Sequence, residues 1–241
     1  MWEHLANPRE AKLLVGSPIN FWTKLLTKAK LITKAKLNTS PFRSPFIAPM
    51  TPTLLSPTLL ASLRATTRPY HEAVEQNPFN RALAAGTVTA AATAHFLSRM
   101  YGFLQPYEAQ LRAQAPSLGP AWELPRRYRA HLILEDLPRL GELTAPPVCR
   151  QLPPLGTRAQ LLGAMYVLEG STLGGQVIAR QLAKAGIAAH AYFTGRGDHT
   201  GPLWKVFCQQ LEAAGAAEDS AEIVQSAITV FQALSLWLSR S

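Results

Sequence analysis

The sequence predicts an all-α fold, a single multi-helix domain of six or seven helices carried by residues 58–241. Three observations carry this. From Thr58 onward apolar residues recur at helical period, and no segment alternates with the period of a strand. Thr157 with Gln160, and Asp219 with Glu222, have the spacing of capping boxes. Proline and glycine punctuate the chain at Pro116–Pro120, Pro138–Gly141 and Pro146–Gly156, between the periodic stretches. A chain of 241 residues is long enough to bury one real core.

Residues 1–57 read differently and are expected to form a disordered basic arm. Before Met50 eight Lys/Arg side chains face only Glu3 and Glu10, a surplus of six out of a net charge of +9. A near-repeat, Thr27-Lys-Ala-Lys-Leu31 and Thr33-Lys-Ala-Lys-Leu37, is followed by a Pro/Ser/Thr-rich tract that cannot hold a helix. The arm resembles a transit peptide in being basic and acid-poor. It also fits an anionic-surface tether, or an upstream extension with Met50 as the true start. With the arm set aside the remainder carries only +3, so no nucleic-acid partner is expected.

The first helix is predicted over residues 59–76 and ended by Asn77-Pro78. Pro69 either kinks it or marks a late start capped by Thr67. A long helix follows over 88–114, capped by Thr87 and bent at Pro106. Residues 126–137 read as a shorter helix, and the adjacent carboxylates Glu135 and Asp136 as a solvated edge. A long helix should then run from Arg158 to Lys184 and stop at Gly186. Residues 193–202 are a loop, 203–213 are helical, and a last amphipathic helix carries Ile223, Ile228, Phe231, Leu234 and Trp237. Cys149 and Cys208 form no CxxC, which suits a reducing cytoplasm, and no uninterrupted apolar run reaches membrane-spanning length.

The helix over 158–184 carries glycines where each costs about 1 kcal/mol relative to Ala. Gly163, Val167, Gly170 and Gly174 follow one another at spacings of four, three and four, so they share one nearly bare face. Such a face accepts either a neighbouring helix or a flat ligand, and the pair Gly174-Gly175 lets the helix bend. Of the six histidines His71 stands out: Arg64 and Arg68 precede it by seven and three residues and Glu75 follows by four. It is either a metal ligand among anion-holding cations or a solvated member of an exposed basic face. There is no phosphate loop, no HExxH and no GxSxG.

Taken together, Leu63-Arg64-Ala-Thr, Tyr70-His71-Glu72-Ala-Val-Glu75 and Tyr166-Val-Leu-Glu-Gly170-Ser-Thr-Leu-Gly174-Gly175-Gln-Val-Ile178 resemble the biliverdin-producing heme oxygenases, most of all the bacterial branch associated with phytochromes. Phe96-Leu-Ser-Arg-Met-Tyr101, Ala130-His-Leu-Ile-Leu-Glu-Asp-Leu137 and Gly201-Pro-Leu-Trp204-Lys205-Val-Phe207 extend the resemblance over residues 58–239. It implies a heme-oxygenase-like fold, with heme as cofactor and substrate and His71 as the proximal iron ligand. It implies further that Gly170, Gly174 and Gly175 form the distal face and that Arg64, Lys205 and Tyr166 meet the propionates. The mammalian type has an aspartate after the first glycine. Here Ser171 takes that place, which leaves the proton relay unassigned.

The function so implied is oxidative cleavage of heme to biliverdin, with release of iron and carbon monoxide. Lacking a nucleotide-binding signature, the chain would take electrons from a separate donor such as a ferredoxin or a reductase, docked on the basic rim around Arg64 and Arg68, and would pass biliverdin to a bacteriophytochrome. A heme carrier or sensor without turnover, or a relative that binds another small molecule, shares the same fold.

Overall fold

The computed structural model describes residues 57–239; all of the predicted arm except Pro57 lies outside the described residues. Ten α-helices occur among them: α1 Leu59–Glu75, α2 Pro78–Ala85, α3 Ala90–Ala113, α4 Ala115–Leu118, α5 Ala130–Asp136, α6 Arg158–Gly170, α7 Gly175–Lys184, α8 Ala191–Thr194, α9 Thr200–Ala214 and α10 Ser220–Leu238. No strand occurs in this region. The all-α prediction holds; the larger helix number comes from α2, from the single turns α4 and α8, and from the division of the expected 158–184 helix into α6 and α7.

The core forms around α10, which packs most extensively on α6 and α1. Its buried stripe, Ile223, Ala227, Val230, Phe231, Leu234 and Trp237, follows helical spacing. By length and composition α10 is apolar enough to cross a membrane, although polar residues interrupt its sequence. Gly163 on α6 permits the close crossing: a Cβ there would stand 2.7 Å from Ser226 Cβ and 2.9 Å from the Ala227 nitrogen. Ser226 Oγ also donates to the Gln160 carbonyl at 2.7 Å.

The capping box of Thr157 and Gln160 forms as read. The second box does not. Asp219 accepts from Ala221 and Glu222 N–H, but the Glu222 side chain accepts from Thr157 Oγ1 at 2.9 Å and Gln160 Nε2 at 3.0 Å, tying the starts of α6 and α10 together.

Both internal prolines are absorbed without ending their helices. α1 begins at Thr58, whose side chain caps it, and runs through Pro69; it does not start late at Thr67. Pro106 in α3 has no N–H to give the carbonyl four residues back, that of Gly102. The Cys149 N–H donates there instead at 2.8 Å. Gly102 lets the 147–149 segment approach that closely, since a Cβ would collide with the Pro147 carbonyl.

Other boundaries moved, two through local caps and the rest because distant carboxylates cap helices. α3 is capped by Thr89, not Thr87. Asn77 ends α1 and also caps α2, accepting from Asn80 N–H at 2.9 Å. The helix expected from residue 126 begins at Ala130, where buried Glu108 of α3 accepts from the N–H groups of Arg129 and Ala130 at 2.6 and 3.0 Å. Asp136 is not on a solvated edge: it is fully buried and accepts from the backbone N–H groups of His190, Ala191 and Tyr192, opening α8, whose last two residues fall in the expected loop. Glu212 does the same for Leu59 and Leu60 at the start of α1.

Candidate functional site

The predicted helix over 158–184 forms in three pieces, with a 3₁₀ step, Ser171–Gly174, between α6 and α7. Local chemistry favours the tighter turn. Ser171 Oγ donates to the Leu168 carbonyl and Thr172 Oγ1 to the Glu169 carbonyl, both at 2.7 Å and both three residues back. Arg129 Nη2 adds a third donor, reaching the Leu168 carbonyl at 2.8 Å.

The glycines do not share one use. Gly163 serves the α6–α10 crossing. Gly175 serves α8, because a Cβ there would run into the Phe193 carbonyl. Gly170 is different. Its missing side chain faces the Trp204 indole of α9, with Cη2 at 3.6 Å from a built Cβ, an ordinary contact. Gly174 is buried between Gly170 and Gly175 in the chain.

The inner side of α1 packs on α10 and α9 and meets α6 at Tyr166. The His71 ring packs edge-on against Phe231 of α10, with centroids 5.6 Å apart at 77°. His71 Nδ1 is 3.7 Å from Glu75 Oε1, the spacing of an ion pair but long for a hydrogen bond. That Glu75 oxygen is buried and has no hydrogen-bond partner. Burial lowers the His71 pKa, against an upward pull from Glu72, so the neutral imidazole predominates near pH 7. Burial and the Glu72 charge raise Glu75 to about 7. The other described histidines, His95, His131, His190 and His199, are exposed.

One turn or two away on α1, Thr67 and Arg64 meet α6 and α9. Burial raises the Tyr166 pKa, opposed by a hydrogen bond with Thr67 and by the Arg64 charge. Burial pushes the Cys208 thiol up to about 11, again with Arg64 opposing. Tyr166 and Trp204 are ring neighbours at 5.9 Å. Arg64, Thr67, Tyr166, Trp204 and Cys208 thus gather at one corner. Lys205 is exposed on α9, next to Trp204 in the chain. Arg68 is exposed and its charge is met by Glu72 at 2.9 Å, so the rim expected around Arg64 and Arg68 is less basic than the sequence suggests.

Ser171 is already engaged: besides donating to Leu168, its oxygen accepts from Arg129 Nη2 at 3.3 Å. Arg129 is buried, with its guanidinium 5.3 Å from the Tyr192 ring. Arg129, Phe231 and the orphaned Glu75 oxygen are parts of the site that sequence reading did not assign. Glu75 had a signal in its spacing from His71. Arg129 had none, being brought in by Glu108 across the fold.

A sequence profile of the heme oxygenase family matches residues 57–240. Among curated proteins the chain is similar to a heme oxygenase of Xanthomonas campestris pv. campestris (strain 8004), 35% identical over 147 residues, covering 58% of this chain and 86% of that one. Among solved structures it resembles heme oxygenase from Leptospira interrogans, with a TM-score of 0.63 at 20% identity over 76% of this chain and 98% of the other. It also resembles the NO- and CO-bound heme oxygenase from Neisseria meningitidis, with a TM-score of 0.59 at 22% identity over 76% and 91% of the two chains.

Proposed function

The chain belongs to the heme oxygenase family and is a heme-degrading enzyme, and from that premise we propose that His71 is the axial ligand and that heme lies between α1 and the Gly170–Gly174 stretch. The observation that carries this reading is the buried Glu75 oxygen without a hydrogen-bond partner beside His71 Nδ1. An imidazole that gives Nε2 to a metal keeps its proton on Nδ1 and needs an acceptor there. Glu75 is that acceptor, and burial already holds His71 in the neutral, ligating form.

When bound, heme supplies its own iron for dioxygen chemistry and is itself the macrocycle that is opened, to biliverdin with loss of iron and carbon monoxide. The protein's part is placement. Phe231 holds the His71 ring from the side opposite Glu75's helix. Arg64, at the Tyr166 corner, supplies a cation for a propionate, and exposed Lys205 supplies a second from α9. Gly170 keeps bare backbone beside the Trp204 indole at the end of α6. Ser171, its hydroxyl held by the Leu168 carbonyl and by Arg129, stands where the mammalian type has a carboxylate and offers distal water an oxygen without negative charge.

Electrons come from a separate donor, in our reading a ferredoxin or reductase docking beside Arg64. Ser171 in place of aspartate supports the phytochrome-associated branch, with biliverdin passed to a bacteriophytochrome. The free thiols of Cys149 and Cys208 suit a cytoplasmic location.

The test is absorbance of the protein with hemin. Addition of a reductant in air should replace the Soret band with that of biliverdin. His71→Ala should abolish the native spectrum, and added imidazole should restore part of it. A Soret band that persists under reductant supports a carrier, and an unchanged spectrum in His71→Ala refutes the ligand assignment.

A further inference from the structure

Residues 190–199 touch the helix interruption from both sides. Asp136 anchors the beginning of this segment through three backbone N–H groups. The Phe193 carbonyl occupies the space that a side chain on Gly175 would need. Gln176 Nε2 donates to the Gly197 carbonyl at 2.7 Å. Arg196 grips Glu169 with both ends of its guanidinium, Nη1 to Oε2 and Nη2 to Oε1, each at 2.8 Å. Arg127 Nη1 joins the same carboxylate at 2.7 Å. Glu169 lies on the last turn of α6, and Gly175 and Gln176 on the first turn of α7. The contacts therefore bracket Ser171–Gly174.

This arrangement is an uneconomical way to stabilise a fold. Three buried charges give up hydration, and apolar residues of similar volume do as well or better in such places. Glu169 is 4% exposed, and Arg127 Nη2 and Arg196 Nε are buried without a hydrogen-bond partner. A bidentate pair does supply a fixed orientation. Orientation matters here because a 3₁₀ step has poorer hydrogen bonds than α-helix. Relaxing four residues from 3₁₀ to α would shorten the step by about 2 Å and turn α7 by about 80° relative to α6.

We propose that segment 190–199 is a splint that fixes the α6–α7 junction, and that Arg196, acting through Glu169, is a positioning residue for the distal face of the heme site. The second half of this statement rests on the site placement proposed above; the first does not.

Amide hydrogen exchange of the apo-protein separates the two. Arg196→Met should accelerate exchange of residues 170–177 at least tenfold while α10 changes less than twofold, and Arg196→Lys should fall between. On loading with hemin, the Soret position should stay as in the parent, and the azide Kd of the ferric complex should change at least threefold. Unchanged exchange at 170–177, or an acceleration spread evenly over α1, α6 and α10, overturns the splint. Local acceleration with an unaltered azide Kd upholds the splint and overturns the placement of the distal face. Should Arg196→Met fail to fold, Gln176→Ala removes only the bond to Gly197. It should give the same local signature in smaller degree, and its absence there refutes the splint.

Discussion

Replacing Glu75 by Gln should stabilise the apo-protein at pH 8 and leave it nearly unchanged at pH 5. Burial, with the Glu72 charge adding to it, raises the folded-state pKa from 4.5 to about 7. Below pH 4.5 both folded and unfolded chains hold the proton, and the carboxyl carries no penalty. As pH rises through this window the unfolded chain ionises first, so stability is lost, and above about pH 7 the loss is complete. At about 1.4 kcal/mol per pH unit the ceiling is about 3 kcal/mol. The side chain is 17% exposed, so water screens part of the charge and about 1–2 kcal/mol is the expected gain. His71, whose pKa is lowered, has the opposite sign and loses stability as pH falls below 6.5; it is present in both proteins and drops out of the difference. The assay is urea unfolding of the apo-proteins from pH 5 to 8. Hemin binding should move the other way, weakening about tenfold, because Gln offers the His71 Nδ1–H an uncharged acceptor. A stability difference that is flat with pH, or hemin affinity that rises together with apo stability, would refute the reasoning.

The glycines should separate by substitution to Ala. At Gly163 and Gly175 the new methyl overpacks α10 or the Phe193 backbone and should lower stability by about 1–3 kcal/mol, with single-turnover biliverdin yield falling only with the folded fraction. At Gly170 the melting temperature should hold and the yield should fall; normal yield with a lowered melting temperature there would show that Gly170 serves packing. Ser171→Asp should not raise turnover, because Arg129 at 3.3 Å would pair with the new carboxylate before distal water could use it. Combining it with Arg129→Met tests this: a yield from Ser171→Asp alone above that of the parent would contradict the assignment of Arg129.

The all-α class and the helix carrying His71 were legible because periodicity and local caps are local facts. Thr157 forms its capping box with Gln160 as the spacing indicates, and Asp219 caps its helix although its box with Glu222 does not form. What was hidden depends on partners far along the chain. Asp136 looks like a surface carboxylate beside Glu135, and nothing within seven residues says that it will cap a helix starting at Ala191. The start of α5 is set by Glu108, 21 residues before Arg129, and the start of α1 by Glu212. The glycine spacing reads as one bare face, but spacing is blind to what arrives against each glycine: α10 at Gly163, the Trp204 ring at Gly170, the Phe193 backbone at Gly175.

That division has a physical consequence for the site. A helix whose four glycines, Gly163, Gly170, Gly174 and Gly175, all served one contact would lose conformational entropy for one purpose. Here the two outer positions are spent on packing that fixes α6 and α7 in the core, and this rigidity is what allows the stretch between them to leave α-geometry. Ser171 and Thr172 turn the backbone locally; Arg129, held by Glu108 and Tyr192, and Glu169, held by Arg127 and Arg196, keep it turned. The proximal side we propose is built on the opposite principle. His71 and Glu75 come from adjacent turns of one helix, their relation is set by a spacing of four, and the residue that completes them, Phe231, comes from the same α10 that fills the Gly163 crossing. A shift of α10 would therefore disturb the His71 ring and the α6 glycine face together. In the placement proposed above, α10 would couple the two sides of the site, since it meets both the His71 ring and the Gly163 crossing.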